Sequence, residues 1–187
     1  MTVEEIFAKI SQHMVEGLMI HSQMSDYYNF LGLEGYSKCH LYRYHRESND
    51  YKELNEYYIK NYNRIIPEGQ NSNPNIIPQD WYKYNRQQVD IATRKNAIQA
   101  GFKKWVDWEY NTKITLQQMY QELVAIGEIA GAIKVKELIE EVAEEYSIAY
   151  QEMIEVKAID YDITIIMEKQ DELKDSYCKK IKKLFMC

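Results

Sequence analysis

The chain has 187 residues, 45% apolar and 28% charged, with a formal net charge of −6. That balance suits one well-buried soluble domain and excludes a disordered chain, and the acidic charge excludes a broad nucleic-acid face. No apolar run reaches the roughly 18 residues of a membrane span.

Cys39, Cys178 and Cys187 show no CxxC spacing, so neither a disulfide framework nor a zinc site is indicated. The N-terminus is acidic and amphipathic, unlike a signal peptide, and a cytoplasmic location is expected. Seven glycines and three prolines are few, and Pro67, Pro74 and Pro78 share one window. Outside it nothing interrupts helix formation, so an all-α single domain over residues 1–187 is expected.

A first helix is predicted over 3–31. Thr2 is its N-cap, with Glu5 at the capping-box spacing. Its apolar stripe runs Val3, Ile6, Ile10, His13, Gly17, Ile20, Met24, Tyr27 and Leu31 in 3–4 steps, with Phe7, Met14, His21 and Tyr28 beside it. His13 and His21 therefore face the core or its border, either bonded to a neighbouring helix or as ligands. Gly32 and Gly35 mark the turn that follows.

A second helix is predicted over 36–62, with the stripe His40, Tyr44, Glu47, Tyr51, Leu54 and Tyr58. Glu47 puts a charge on a core face, which is costly unless it is paired, hydrogen-bonded or bound to a metal. Tyrosine hydroxyls and a metal are both open as partners. Asp50 stands one turn on. Residues 63–88 hold all three prolines and an Asn-Ser-Asn-Pro-Asn tract, with Ile76, Ile77 and Trp81 as apolar anchors. A connection this long needs a reason, and a crossover running the length of a bundle supplies one.

A third helix, 89–126, carries Ile98, Phe102, Trp105, Glu109, Thr112, Leu116, Met119, Leu123 and Ile126 on one face. A turn near 127–131 leads to a fourth helix over 132–159, whose stripe holds Glu145 and Glu152, with Glu141 and Glu144 off it. A further helix over 163–185, capped by Asp162, is predicted next, either separate or continuous with the fourth. Its basic tail, Lys179, Lys180, Lys182 and Lys183, complements the negative end of that helix.

Three stripes thus carry carboxylates. Glu47 lies 12 residues beyond Gly35, Glu145 lies 16 beyond residue 129, and Glu109 lies 20 before it. With the two turns at opposite ends, all three fall in one middle layer of helices about 28 residues long. Inward carboxylates of this kind build di-iron and di-manganese sites in helical bundles, because oxygen donors suit hard and borderline cations. No Ser/His or Cys/His spacing suggests nucleophilic catalysis.

The Gln23-Met24-Ser25 run, the aromatics after it and the Leu33-Glu34-Gly35 turn resemble the first helical hairpin of the ferritin-like family. Glu47 and Asp50 fall where that family has its Glu-x-x-His pair. The resemblance implies an all-α, ferritin-like, up-down four-helix bundle with a long crossover and a short C-terminal fifth helix. It also implies a homo-oligomer, while charge and hydropathy argue against nucleic acid or a membrane as a partner. The metal ligands expected are Glu47, Asp50, Glu109, Glu145, Glu152 and His21, holding iron, with manganese or zinc as alternatives. Iron oxidation or storage at a carboxylate-bridged pair of metals is the implied function. Asp50 replaces the family's histidine, and Met14 stands where the first-helix glutamate is expected. Those departures, with seventeen tyrosines available for interfaces, leave a metal-free structural or assembly protein as the alternative.

Overall fold

The computed structural model describes residues 1–67 and 89–185. Most of the predicted crossover, with its anchors Ile76, Ile77 and Trp81, lies outside the described residues, as does Cys187. Five helices are described: α1 (Val3–Leu31), α2 (Glu34–Tyr62), α3 (Ile91–Ala125), α4 (Ile129–Ala158) and α5 (Ile163–Leu184). None is long and apolar enough to cross a membrane.

The caps fix the ends. Thr2 and Glu5 form the capping box, each side chain accepting from the other's backbone N–H at 3.2 and 2.8 Å. Asp90 caps α3 through Thr93 N at 2.7 Å, which starts that helix at residue 91 instead of 89. Glu128 accepts from Gly131 N at 3.3 Å, so α4 begins at 129 instead of 132. Between α4 and α5 the backbone breaks, with Asp160 and Tyr161 at φ 53° and 55°. Asp162 then caps α5 through the N–H groups of Thr164 and Ile165. The two last helices are therefore separate.

α1 packs antiparallel to α2, and α3 antiparallel to α4. His13 meets Thr112 while Tyr27 bonds the Ala97 carbonyl, so α1 and α3 are antiparallel too. The end of α2 and the start of α3 consequently lie at opposite ends of the bundle. The apolar residues of the expected stripes are largely buried, but on α2 Arg43 is buried while Tyr44 and Tyr51 are half-buried, and there are two further differences. Phe7, Met14, His21 and Tyr28, expected beside the stripe, are as deep as the stripe itself, because α1 is packed by both α2 and α3. Ile126, expected on the α3 stripe, is exposed as the C-cap. The apolar core falls into two clusters, one around Tyr28, Tyr36, Phe102 and Trp105, the other around Phe7, Leu54, Leu116 and Leu123.

α5 runs beside α2 and parallel to it, from Gln170 at Gly35, past Tyr177 at Tyr42, to Phe185 at His45. Lys174 pairs with Glu34 on α2 and Lys169 with Glu155 on α4. Buried Gln170 clamps the α1–α2 turn, accepting from Gly35 N and donating to the Gly32 carbonyl, each at 3.1 Å. A Cβ at Gly35 would come within 2.4 Å of the Gln170 carbonyl oxygen. Gly35→Ala is therefore expected to destabilise the protein by about 1–3 kcal/mol through overpacking, read as a lower urea midpoint. An unchanged midpoint would mean that α5 is free to move away.

Candidate metal centre

Between the two apolar clusters lies a polar layer. Its members recur at 3–4-residue steps: His13, Gly17 and His21 on α1, Arg43, Glu47 and Asp50 on α2, Trp105, Glu109 and Thr112 on α3, Glu141 and Glu145 on α4.

Arg43 is at its centre, 3% exposed. Its Nη1 lies 2.8 Å from Glu145 Oε1 and 3.5 Å from Glu109 Oε1, and its guanidinium stands 5.3 Å over the Trp105 ring. Burial opposes the guanidinium's charge, but Glu145 and Glu109 outweigh it and hold its pKa above the ordinary value. Fully buried Glu109 accepts from Trp105 Nε1 at 2.9 Å. Burial pushes its carboxyl up to about 7, although Arg43 pulls the other way. His21 Nε2 is 3.7 Å from Glu109 Oε1, and His21 Nδ1 is 3.1 Å from His40 Nδ1. Burial first, then nearby positive charge, lowers both imidazoles well below their usual range and keeps them neutral. One ring therefore donates through Nδ1 and the other accepts.

Glu47 faces α1 at Gly17, where a Cβ would meet its carboxylate at 3.2–3.3 Å. The missing side chain is what lets the carboxylate approach. Burial pushes Glu47 well above the usual carboxylate range, and Glu145, Glu109 and Asp50 add to the effect. Asp50 is pushed up to about 7 by burial and then by Glu141, against Arg46. Arg46 spends its own hydrogen bond on Glu141 Oε2 at 3.1 Å. No described residue donates a hydrogen bond to Glu47 or Asp50. Both line a cavity of about 20 Å³ together with His13, Thr112, Glu141 and Glu145, room for a single water-sized occupant.

Of the residues singled out in the sequence, Glu47, Asp50 and Glu145 thus share one cavity. Glu109 meets Glu145 through Arg43, and His21 meets Glu109. Glu152 stands two turns from Glu145, about 10 Å along the helix, and accepts from the Tyr36 hydroxyl at 2.8 Å. Met14 borders the cavity and offers it no oxygen. Arg43 is the member the sequence reading missed. The signal was present, since 40, 43, 47 is as good a helical path as 40, 44, 47, and Arg43 precedes Glu47 at the ion-pair spacing.

These residues do not fit a carboxylate-bridged pair of metals. Arg43 already brings a positive charge to two of the carboxylates, and among the described residues no three His, Cys, Asp or Glu side chains converge as a ligand set. Glu47, Asp50 and Glu145 line the same small cavity, and the Glu47 carboxylate fills the space that a side chain at residue 17 would take.

No protein-family model and no curated protein matches the sequence. Solved structures do match. A humanized archaeal ferritin superposes with a TM-score of 0.75 at 14% identity, covering 91% of this chain and 94% of the other. An open-pore ferritin from the hyperthermophilic archaeon Archaeoglobus fulgidus gives 0.74 at 13% identity, covering 91% and 93%. An iron-soaked PmFTN variant gives 0.70 at 9% identity, covering 89% and 96%. This chain has the ferritin-like fold: a four-helix bundle with a shorter C-terminal fifth helix.

Proposed function

We propose that this protein is a ferritin-like cation-binding bundle that holds one divalent metal ion on Glu47, Asp50 and Glu145, iron foremost, with manganese or zinc as the alternatives. The observation that carries this is the surplus of carboxylate in the polar layer. Arg43 pairs with Glu109 and Glu145, while Glu47 and Asp50 line the cavity beside them with no hydrogen-bond donor among the described residues. Carboxylates held this way either keep their protons or take up a cation. That PmFTN crystals were soaked in iron favours iron as the first metal to try. Oxidation or storage of iron would need more than this centre offers with Arg43 in place. A bundle that binds no metal and acts through assembly is the alternative, favoured by the Arg43 ion pairs and by the exposed Val124, Ile126, Ile129 and Ile133 around the α3–α4 turn.

The test is metal content by mass spectrometry on untagged, chelator-free protein after anaerobic Fe(II) loading, with native mass recorded on the same sample. One ion per chain is expected, with affinity at least about tenfold weaker in Glu47→Ala, the scale of losing one charged contact. Metal content indifferent to Glu47→Ala would sink the ligand assignment. No metal in a folded, defined oligomer would leave the assembly role standing.

The same surplus predicts a pH dependence in the metal-free protein. Asp50 and Glu109 titrate near 7 when folded and close to 4 in the unfolded chain. Over that window the folded state binds more protons, so stability is greatest on the acid side, falls as pH rises, and levels above about 7. Glu109→Gln, which keeps the shape and cannot ionise, is expected to flatten the fall. Urea midpoints at about pH 5 and about pH 8 measure it, and equal slopes in the two proteins would refute the assignment.

A further inference from the structure

α2 packs on α1 and α5, and α4 packs on α3. Where α2, α4 and α5 converge they leave a cavity of about 150 Å³, distinct from the one that Glu47 and Asp50 line, although Glu141 and Glu145 border both. A space of that size admits a small organic molecule of roughly six non-hydrogen atoms. Each helix turns one face to it, through residues 42, 43 and 46 on α2, 141, 144, 145 and 148 on α4, and 177 and 180 on α5, all at helical steps.

The charges on this wall are of both signs, and not all of them are matched. Arg43 Nη1 pairs with Glu145 Oε1 at 2.8 Å, and Arg46 Nη2 with Glu141 Oε2 at 3.1 Å. That leaves Lys180 on α5 and Glu144 on α4, both exposed and neither in an ion pair among the described residues. Lys180 is nonetheless held in place. Its Nζ stands 4.5 Å from the Tyr177 ring centre and 5.7 Å from that of Tyr42, so two aromatic faces keep the ammonium at the cavity. Arg43, 3% exposed, is the deepest member, and its Nε is buried without a hydrogen-bond partner. Ile148, one turn from Glu144, adds apolar surface.

An ion of one sign would gain one of the two unmatched charges and face the other. A molecule that carries both signs would gain both, and a few such placed groups are what fix a ligand's orientation in a small pocket. We infer that this cavity is a binding site for a small dipolar ion of the amino-acid class, its carboxylate on Lys180 and its ammonium on Glu144. Such a ligand ties α5 to α4. The inference does not rest on the proposed metal centre, to which neither Lys180 nor Glu144 belongs.

The experiment is a ligand-observed NMR titration of the chelator-treated full chain with glycine, β-alanine and γ-aminobutyrate, whose charges stand one, two and three carbons apart. Acetate and methylammonium carry one charge each and serve as controls. At least one of the three dipolar probes is expected to bind about tenfold more tightly than either control, the scale of one further charged contact. Lys180→Gln and Glu144→Gln should each bring that affinity down to the level of the controls. Lys179→Gln, next in sequence and not lining the cavity, should leave it unchanged. All three positions are exposed, so the variants keep the fold, which circular dichroism checks. No binding of any dipolar probe up to about 10 mM overturns the inference. A control that binds as tightly overturns it too, as does an affinity that survives Lys180→Gln or Glu144→Gln, or an equal loss in Lys179→Gln. Metal loading plays no part in these titrations, so their failure would leave the proposed centre standing, and loss of that centre would leave their result intact.

Discussion

Arg43 brings a permanent positive charge to within 2.8 Å of Glu145 and 3.5 Å of Glu109 on a side chain that is 3% exposed. Taking such charges out of water costs several kcal/mol for each ion, recovered only if the opposite charges are held close. The middle of α2 is therefore tied to the middles of α3 and α4, and any shift of register along one helix would leave a buried charge alone. The ion pair is weak evidence for stability and strong evidence for alignment. It explains why the apolar core is interrupted at one level and resumes on either side of it.

Around that pair the layer is graded. On the α1 side two neutral imidazoles and Trp105 form a dry wall, with every ring packed against another. On the side of Glu47 and Asp50 the layer loosens into a small cavity whose rim includes exposed Glu141. The ion pair thus lies at one edge of the layer, and carboxyls that burial pushes toward the protonated form lie at the other.

Much of this was legible in the sequence. The 3–4 stripes, the Thr2–Glu5 box, the Asp162 cap and the middle-layer register of Glu47, Glu109 and Glu145 are properties of spacing, and spacing survives folding. What was not legible depended on which of two equivalent helical steps the chain uses. Tyr44 and Arg43 are equally placed after His40, and hydrophobicity favours the tyrosine. The structure buries the arginine instead, because two glutamates on other helices wait for it. Glu152 failed to join the layer for a similar reason: the α4 stripe says which way a residue faces, while its height along the helix is what decides its neighbours.

The clamp of Gln170 on the α1–α2 turn has a consequence for how the chain is made. Gly35 N finds its acceptor 135 residues later, and the hairpin it belongs to is complete long before that residue is translated. At about 5–20 residues per second, roughly 7 to 27 seconds pass in which water must serve that amide and the facing flank of α2 lies bare. Until then the hairpin is held without α5, by the packing of α1 on α2 and α3. α5, translated after the other four helices, closes it, so a message cut short before α5 would yield a bundle with one flank and one turn still open.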